Sequence, residues 1–318
     1  MPVAGGPHPP ARIAAVAVLA LALGLGACAR TVRAAPAAAD GRLALGKTAG
    51  PASTRPPPRR EPTPPLGQVR ILSWNLKRLG HGQKRMDLVA RLVAASADVA
   101  VLEEVMTPAG VQRLLAYLPG WSAAISPRAV GRGGYAEHYA VLYRRDRVTR
   151  LRSYTVDDRA DQFAREPYVV CLEARAFDFC LVTIHVVFGR TVGPRDAEIE
   201  ALGPLLDRLM RTSRERDWIV TGDFNRPARA GCWSALGARG WIMTTRGNAL
   251  TSLGARGYSS DYDHLLINPR YTREWTQVGD RLDSVARLCR GDFAWCKAQV
   301  SDHAPIYATF ATGGPDDD

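Results

Sequence analysis

Several features that identify common protein classes are scarce or missing in this chain. No C-x-x-C pair and no cluster of histidine with cysteine occurs, which excludes a structural zinc site of ordinary spacing. No internal repeat is present, which argues against a repeat array. The one long apolar run, residues 12–27, is too short to favour a membrane-spanning helix. These absences leave a single large globular domain as the simplest organisation.

Lysine is also scarce, with 4 Lys against 38 Arg in 318 residues. The formal net charge is nevertheless +11, shared between the N-terminal part and the remainder of the chain. A moderate positive charge suits a polyanionic partner such as nucleic acid or an acidic membrane surface. An arginine-rich genome produces the same excess, so charge alone does not separate the two explanations.

The N-terminal 28 residues have the pattern of an export signal. A single Arg12 precedes the apolar run, and small residues stand at its end. The stretch L-G-A-C, which ends at Cys28, resembles the bacterial lipobox, in which the cysteine is lipidated. We therefore expect an exported, lipid-anchored protein of the bacterial cell envelope, held to the membrane through Cys28. An ordinary cleaved signal peptide, which would give a secreted protein, is the alternative.

Residues 29–68 are rich in Ala, Pro and Arg, as in the stretch S-T-R-P-P-P-R-R-E-P-T-P-P. This composition cannot bury a core, and its prolines favour extended chain, so the segment is predicted to be a disordered tether. The 250 residues that remain, 69–318, are enough for one large domain.

The five cysteines after Cys28 are compatible with disulfides, because an exported protein reaches an oxidising compartment. Cys289 and Cys296 close a short loop and are the favoured pair. Cys171 and Cys180 lie on successive apolar runs that could form a hairpin, and are a plausible second pair. Cys232 is left over.

Strand-like apolar runs recur along the domain and alternate with helical patterns. The helical spacings lie at 86–93, 114–118 and 195–211, and the strand-like runs at 69–75, 98–105, 139–143, 168–174, 179–185, 218–225, 262–268 and 303–310. Strands mixed with helices predict one α/β (α+β) domain in which two sheets form a sandwich flanked by helices.

Most of these strands end in a residue that can titrate or bind a metal. The residues are Asn75, Glu104, His185, Asp223, Asn225, Asp263, Asp302 and His303. Strand ends that share a sheet edge converge on one cleft, and oxygen ligands without cysteine suit Mg²⁺ or Ca²⁺, with Mn²⁺ also possible beside histidine. In the run W-I-V-T-G-D-F-N, Gly222 is predicted to break the strand and begin a turn.

The motifs S-W-N, L-E-E-V, G-Y-A-E-H-Y, F-A-R-E-P-Y-V-V, T-I-H, T-G-D-F-N, D-Y-D-H and S-D-H-A-P occur in this order across residues 69–312. In this respect the chain resembles the endonuclease/exonuclease/phosphatase superfamily, and within it deoxyribonuclease I. The resemblance implies the four-layer fold of that family and a metal-dependent enzyme that hydrolyses phosphodiester bonds.

The resemblance also implies roles for single residues. Glu104 corresponds to the ligand of the catalytic divalent ion, with Asn75 and Asp302 nearby. His303, oriented by Asp263, corresponds to the general base. The remaining assignments by resemblance are His185 as the general acid with Glu137 as its carboxylate partner, Asp223 and Asn225 around the attacked phosphate, Arg165 on a phosphate, and Tyr135 on a DNA sugar.

Two departures from the family pattern concern substrate and disulfides. Met106 stands where the nuclease family has a minor-groove arginine, so DNA positioning is expected either to be weaker or to rely on Lys77 and Arg78 instead. Ser259 and Ser260 stand where the partner of Cys232 is expected. His138 and His264 neighbour motif residues, but their side chains are expected to point away along the strand.

The sequence therefore predicts a monomeric, exported endonuclease that acts on DNA with Mg²⁺, without an obligate protein partner. A lipid or inositol phosphoesterase of the same superfamily is the alternative, because the catalytic residues are shared. A catalytically inactive envelope binding protein is a third reading, but the loss of a key residue that it implies is not seen.

Overall fold

The computed structural model describes residues 65–132, 134–245 and 249–314. The predicted export segment 1–28, including Cys28, and nearly all of the predicted tether 29–68 lie outside the described residues. Within the described ranges, no helix has both the length and the apolar composition needed to cross a membrane.

Twelve strands of the described chain form two six-stranded sheets. The first sheet has, in spatial order, β11 (Trp275–Arg281), β12 (Ile306–Ala311), β1 (Gln68–Leu79), β2 (Val99–Val105), β4 (His138–Arg144) and β3 (Trp121–Ile125). The second has β5 (Thr149–Thr155), β6 (Tyr168–Ala174), β7 (Phe177–His185), β8 (Trp218–Asp223), β10 (Asp263–Ile267) and β9 (Ile242–Met243). Both sheets are mixed, because β1 pairs with β2 and β7 with β8 in parallel.

The helices cover the outer faces of the two sheets. Their bounds are α1 (Met86–Ser96), α2 (Pro108–Leu115), α3 (Gly193–Thr212), α4 (Ser234–Gly237), α5 (Ser284–Leu288) and α6 (Phe293–Gln299). Helix α2 begins with Thr107 as its N-cap, whose side chain accepts the N–H of Gly110, followed by Pro108 at the first helical position.

Side chains alternate between two cores along each central strand, as the period of two requires. Ile71 on β1 and Ile219 on β8 point into the core between the sheets. Trp74 on β1 packs under α1 and α2, while Trp218 on β8 packs under α3. The fold is therefore helix, sheet, sheet, helix, and the prediction of a helix-flanked sandwich is confirmed. Truncating a fully buried side chain of the inter-sheet core such as Phe310 would cost about 3–5 kcal/mol.

All eight predicted strand runs contain a strand, whereas β3, β5, β9 and β11 were missed. These four are the outermost strands of the two sheets. The spacing of Leu114 and Leu118 predicts that both residues are helical. Helix α2 instead ends at Leu115, and Leu118 lies in the turn that follows it.

Both predicted disulfides are present in the structure. Cys171 on β6 is paired across to Cys180 on β7, and Cys289 is joined to Cys296. Cys232 is buried without a disulfide, and burial raises the pKa of its thiol to about 11. The prediction that Cys232 is left over is confirmed.

Candidate active site

One row of polar side chains crosses three neighbouring strands of the second sheet. His185 is the last residue of β7, and its partner on β8 is Asp223. Asp223 in turn faces Asp263, the first residue of β10. Because paired strands lie about 4.8 Å apart, this register alone places a histidine and two carboxylates side by side at one end of the sheet. All three side chains are buried.

Gly222 allows β7 and β8 to approach closely beside this row. Its φ is 148°, and a Cβ at this position would lie 1.8 Å from the carbonyl oxygen of Ile184. The strand nevertheless continues through Gly222 to Asp223. The predicted strand break at this glycine is therefore wrong, because the missing side chain serves the spacing between strands and not a chain reversal.

The chain turns only after Asp223. Asn225 has a φ of 52°, in the left-handed region, and its backbone N–H donates to Oδ1 of Asp223 at 2.9 Å. The Asn225 side-chain amide donates to the carbonyl of Val186 at 2.9 Å. Asx turns of this kind favour Asp and Asn, which explains why both residue types stand here. Arg226 leaves the motif and pairs with Asp196, at 2.6 Å between Nε and Oδ1.

His303 is oriented by the carboxylate that the sequence predicted. Its Nδ1 lies 2.8 Å from Oδ2 of Asp263, and its Nε2 lies 3.5 Å from Oδ2 of Asp223. The backbone of His303 is fixed at both ends, because its N–H donates to Ser301 Oγ and its carbonyl accepts from the Trp74 indole at 2.8 Å.

Burial on its own would lower the pKa of the His303 imidazole, but the negative charges of Asp263 and Asp223 outweigh it and raise that pKa to about 10. The pKa of Asp223 is itself raised, first by burial, although the nearby histidines oppose the shift. His303 therefore holds its proton firmly at neutral pH in this arrangement.

His185 has a similar partner on the other side of Asp223. Its Nδ1 lies 2.8 Å from Oε1 of Glu137, and its Nε2 lies 3.8 Å from Oδ2 of Asp223. Its backbone N–H donates to the Tyr139 hydroxyl at 3.0 Å. Burial works to lower the pKa of His185, but the Glu137 carboxylate raises it above the ordinary value. Both histidines thus present Nε2 towards the same carboxylate.

Arg165 contacts this second pair from behind. Its Nε lies 3.3 Å from Oε2 of Glu137, and its Nη1 donates to the carbonyl of His185 at 3.1 Å. Burial favours a raised pKa for Glu137, yet His185 and Arg165 together bring that pKa below the ordinary value. The guanidinium also lies 5.2 Å from the Tyr135 ring centre. The predicted phosphate-binding arginine is thus placed at the site, with its charge directed at Glu137.

Glu104 is turned into the site by an unusual backbone conformation. Its φ is 54°, where the pairing of β2 with its neighbours is irregular. Its carboxylate accepts hydrogen bonds from the Asn75 amide at 3.1 Å, the Tyr135 hydroxyl at 2.9 Å and the Arg78 backbone N–H at 3.0 Å. The preceding Glu103, in contrast, is fully buried and accepts a hydrogen bond from Ser73 Oγ at 2.9 Å.

Asn75 connects Glu104 to the row on the second sheet. Its Nδ2 lies 3.1 Å from Oε1 of Glu104 and 3.1 Å from Oδ2 of Asp223. Two carboxylates from different sheets thus converge on one amide group, and both offer the hard oxygen atoms that Mg²⁺, Ca²⁺ or Mn²⁺ prefer. The two carboxylates fit a divalent cation at the junction of the two sheets, and Asn75 joins them as a ligand when its Oδ1, which accepts the Lys77 N–H at 2.9 Å, turns towards them.

Asp302 is placed differently from the other predicted metal ligands. It forms an ion pair with Lys77, at 2.9 Å between Oδ2 and Nζ. Among the described residues, the acidic and histidine ligand atoms that do cluster, within 4.8 Å of one another, belong to Asp223, Asp263 and His303. The three predicted metal ligands are therefore divided between two places. Glu104 and Asn75 lie beside Asp223, whereas Asp302 is paired with Lys77.

The sequence did not single out several residues that hold the site together. Tyr139 bonds the backbone of His185, Thr251 Oγ1 accepts the N–H of Asp263 at 3.3 Å, and Ser301 Oγ donates to the carbonyl of Asn75 at 2.6 Å. Lone hydroxyl groups in strands and loops carry no spacing signal, so nothing in one sequence marks them.

The two remaining motif histidines point away from the site, as expected. Nε2 of His264 lies 2.8 Å from the carbonyl of Arg226 and the ring packs against Trp233, while Nδ1 of His138 lies 2.8 Å from the carbonyl of Ser126.

Comparisons with known proteins agree with this geometry. The model of the Endonuclease/Exonuclease/phosphatase family matches residues 72–303. A deoxyribonuclease of Thioalkalivibrio sp. (strain K90mix) is 33% identical over 264 residues, which cover 78% of this chain and 73% of that protein. Deoxyribonuclease gamma of Rattus norvegicus is 28% identical over 277 residues, covering 75% of this chain and 83% of that protein.

Solved structures share the fold at lower identity. TDP2 of D. rerio, complexed with a single strand DNA product, gives a TM-score of 0.55 at 18% identity and covers 77% of this chain and 99% of its own. The catalytic domain of human Nocturnin, with a bound sulfate anion, gives a TM-score of 0.55 at 16% identity, covering 77% of this chain and 94% of its own.

Proposed function

The chain belongs to the Endonuclease/Exonuclease/phosphatase family, and from that premise we propose that it is a divalent-metal-dependent endonuclease that hydrolyses the phosphodiester backbone of DNA. The observation that carries the proposal is the pair of carboxylate-supported histidines whose Nε2 atoms both face Asp223, at 3.5 and 3.8 Å. The relatives named deoxyribonuclease support DNA as the substrate.

Hydrolysis of a phosphodiester requires removal of a proton from water and delivery of a proton to the leaving oxygen. In the proposed mechanism the neutral form of His303 accepts the first proton and the protonated form of His185 delivers the second, an assignment taken from the family resemblance. Asp263 and Glu137 occupy the two Nδ1 positions, so each histidine keeps Nε2 for proton transfer. Asp223 and Asn225 then orient the phosphate and the attacking water between the two rings.

Charge on the phosphoryl oxygens must also be neutralised. Glu104 and Asn75, with Asp223 beside them, are proposed to hold the cation, Mg²⁺ by first choice and Ca²⁺ or Mn²⁺ otherwise. Such an ion stabilises the developing negative charge of the transition state. Asp302 is proposed to join the metal ligands only when its ion pair with Lys77 breaks and Lys77 contacts a DNA phosphate instead.

Substrate contacts are proposed for three residues around the cleft. Arg165 and Lys77 would meet phosphates, and Tyr135 a deoxyribose. The surplus of positive charge along the chain supports a polyanionic substrate.

Supercoiled-plasmid nicking by the full chain tests the proposal. We expect open-circular and then linear DNA in the presence of Mg²⁺, no conversion in EDTA, and recovery when Mg²⁺ is restored. Glu104→Gln should shift the Mg²⁺ requirement to a higher concentration, because it removes one anionic ligand. Intact plasmid together with cleavage of sphingomyelin or inositol phosphates would replace DNA by a lipid or inositol phosphoester as the substrate class.

We propose export and lipid anchoring from the apolar run and the L-G-A-C stretch of the sequence alone. Residues 1–28 lie outside the described part of the chain. Mass spectrometry of the protein expressed in a bacterium with lipoprotein processing is expected to show an acylated N-terminal Cys28. Cys28→Ser should remove the acyl mass. An unmodified wild-type N-terminus would contradict the anchor.

A further inference from the structure

The loop that leaves the site after His185 exposes an aromatic ring. Phe188 is 66% exposed, the largest value for an aromatic side chain among the described residues. It stands three residues beyond His185, in the segment that joins β7 to α3. A single exposed apolar side chain is ordinary on a protein surface, so the significance of Phe188 depends on its contacts and on its position in the chain just after His185.

A buried arginine holds this ring in place. The guanidinium of Arg195, a residue only 8% exposed, lies 4.6 Å from the ring centre of Phe188. The same guanidinium donates to the carbonyl of Asn225 at 3.3 Å and to the carbonyl of Gly189. One side chain therefore contacts both the ring and the backbone of Asn225, which links Phe188 to the site through the Arg195 guanidinium.

The segment that carries the ring is also bonded to α3 through Glu198. This buried carboxylate accepts the N–H of Val187 at 3.3 Å and the N–H of Ala164, the neighbour of Arg165, at 3.1 Å. Arg195 and Glu198 are three residues apart and lie on one face of the helix. These contacts hold the segment around the ring before any substrate binds, so less conformational entropy is lost on binding.

The chemistry of the surroundings indicates what the ring contacts. An aromatic ring next to a phosphate site stacks well on a nucleobase, and every base has a face for such contact. Within a duplex both faces of a base are covered by its stacked neighbours, so an unpaired base can lie on Phe188 without the cost of unstacking a base step. Arg190, two residues further on, is an exposed cation in the same loop.

A lipid surface is a poorer match for the same loop. Its exposed apolar side chains are Phe188 and Val192, separated by Gly189, Arg190 and Thr191. One phenyl group and one valine form a much smaller apolar surface than the continuous apolar face of an interfacial helix.

Resting on the proposed nuclease function, we infer that Phe188, backed by Arg195, is a stacking subsite for an unpaired base next to the scissile phosphate, and that single-stranded or locally opened DNA is the preferred substrate.

The test compares a single-stranded oligonucleotide with the duplex of the same sequence, using the full chain with Mg²⁺. Phe188→Ala is expected to lower kcat/KM on the single strand by about tenfold, mainly through KM, and to lower the ratio of single-strand to duplex cleavage. Phe188→Trp should keep that ratio and Phe188→Leu should not, because stacking needs a π face. Tyr117→Ala removes another exposed aromatic side chain, from the end of α2, and should leave both rates unchanged.

Binding in EDTA gives a second measurement that does not depend on cleavage. Fluorescence anisotropy with labelled oligothymidylate should show about tenfold weaker binding for Phe188→Ala. Equal changes on single strand and duplex, no change on either, or Phe188-dependent binding to phosphatidylglycerol vesicles instead would overturn the stacking subsite while leaving the nuclease proposal intact. Absence of DNA cleavage by the wild type, in contrast, would remove the proposed function and the subsite together.

Discussion

The His185–Glu137 pair and the His303–Asp263 pair share one contact, 2.8 Å between Nδ1 and a carboxylate oxygen, but differ in the charges around them. In the first pair, Arg165 lies against Glu137 and its charge works to lower the pKa of His185. No described ion pair joins an arginine to the second pair. Asp223 raises the pKa of both histidines, and at His303 the charge of Asp302 adds to the effect of Asp263.

The comparison shows that the hydrogen bond to the carboxylate orients each ring, whereas the net charge of the neighbourhood sets how firmly the ring holds a proton. Two histidines with the same local partner can therefore serve as acid and base if their wider surroundings differ. A cation bound near the His303–Asp263 pair, either by itself or with the substrate, would lower the pKa of His303. The ring would then more readily adopt the neutral form that a general base needs.

Removal of either ring should have the largest effect. His185→Ala and His303→Ala are each expected to lower kcat for plasmid nicking by about a thousandfold, because each removes a proton-transfer group. The measurement is a nicking time course on variants whose circular dichroism matches the wild type. His81→Ala changes an exposed loop histidine and serves as the matched control. A loss confined to one of the two variants would mean that the pairs do not share the reaction.

Neutralising the carboxylates separates orientation from charge. Glu137→Gln and Asp263→Asn keep the shape of each partner and should each lower kcat by about a hundredfold. Glu137→Gln also leaves the largely buried Arg165 without its counter-ion, which is costly in a buried site. Its melting temperature should therefore fall further than that of Asp263→Asn. Equal melting temperatures would contradict the role of Arg165 as a partner of Glu137.

Removing the arginine should make the first pair resemble the second. In Arg165→Gln, His185 loses a repulsive positive charge, so its pKa should rise towards that of His303, while kcat falls about tenfold. NMR titration of ring-labelled histidine in EDTA measures the pKa. Arg159→Gln, an exposed arginine of the same loop that pairs with Asp157, is the control. A fall in the His185 pKa would show that Arg165 does not act through charge.

The smallest expected effect is on stability against pH. The pKa of His303 is raised to about 10, so the folded protein binds this proton more tightly than the unfolded chain. The stabilisation is complete below the ordinary histidine pKa of about 6.5 and is lost as the pH rises towards 10. In EDTA, the melting temperature of the wild type should fall more steeply over this window than that of Asp263→Asn. Parallel curves would contradict the shift.

How far the sequence predicts the fold depends on where a strand lies in its sheet. The central strands were found because their apolar runs are buried on both faces, as in β8. The four strands that were missed, β3, β5, β9 and β11, are the four sheet edges. An edge strand pairs on one side only, and β5 is mostly exposed, with the sequence T-R-L-R-S-Y-T. Such strands form because a neighbour offers hydrogen bonds, which no local pattern records.

The site shows the same division. Polar residues at strand ends predicted the convergence of His185, Asp223, Asp263 and His303, because a central strand fixes the position of its last residue. Gly222 was misread as a turn, because a glycine needed for close strand approach looks the same in sequence as one needed for reversal. Arg195 and Glu198 were missed because they look like ordinary charges on a helix surface and act only through backbone groups distant in sequence.

The row of His185, Asp223 and Asp263 has a consequence for how the protein becomes active. Each member is held by the pairing of β7, β8 and β10, and a residue with a Cβ in the place of Gly222 would collide with the carbonyl oxygen of Ile184. A shift by one residue would turn the whole row to the other face of the sheet. Correct pairing of these three strands is therefore enough to bring the three side chains together at one end of the second sheet.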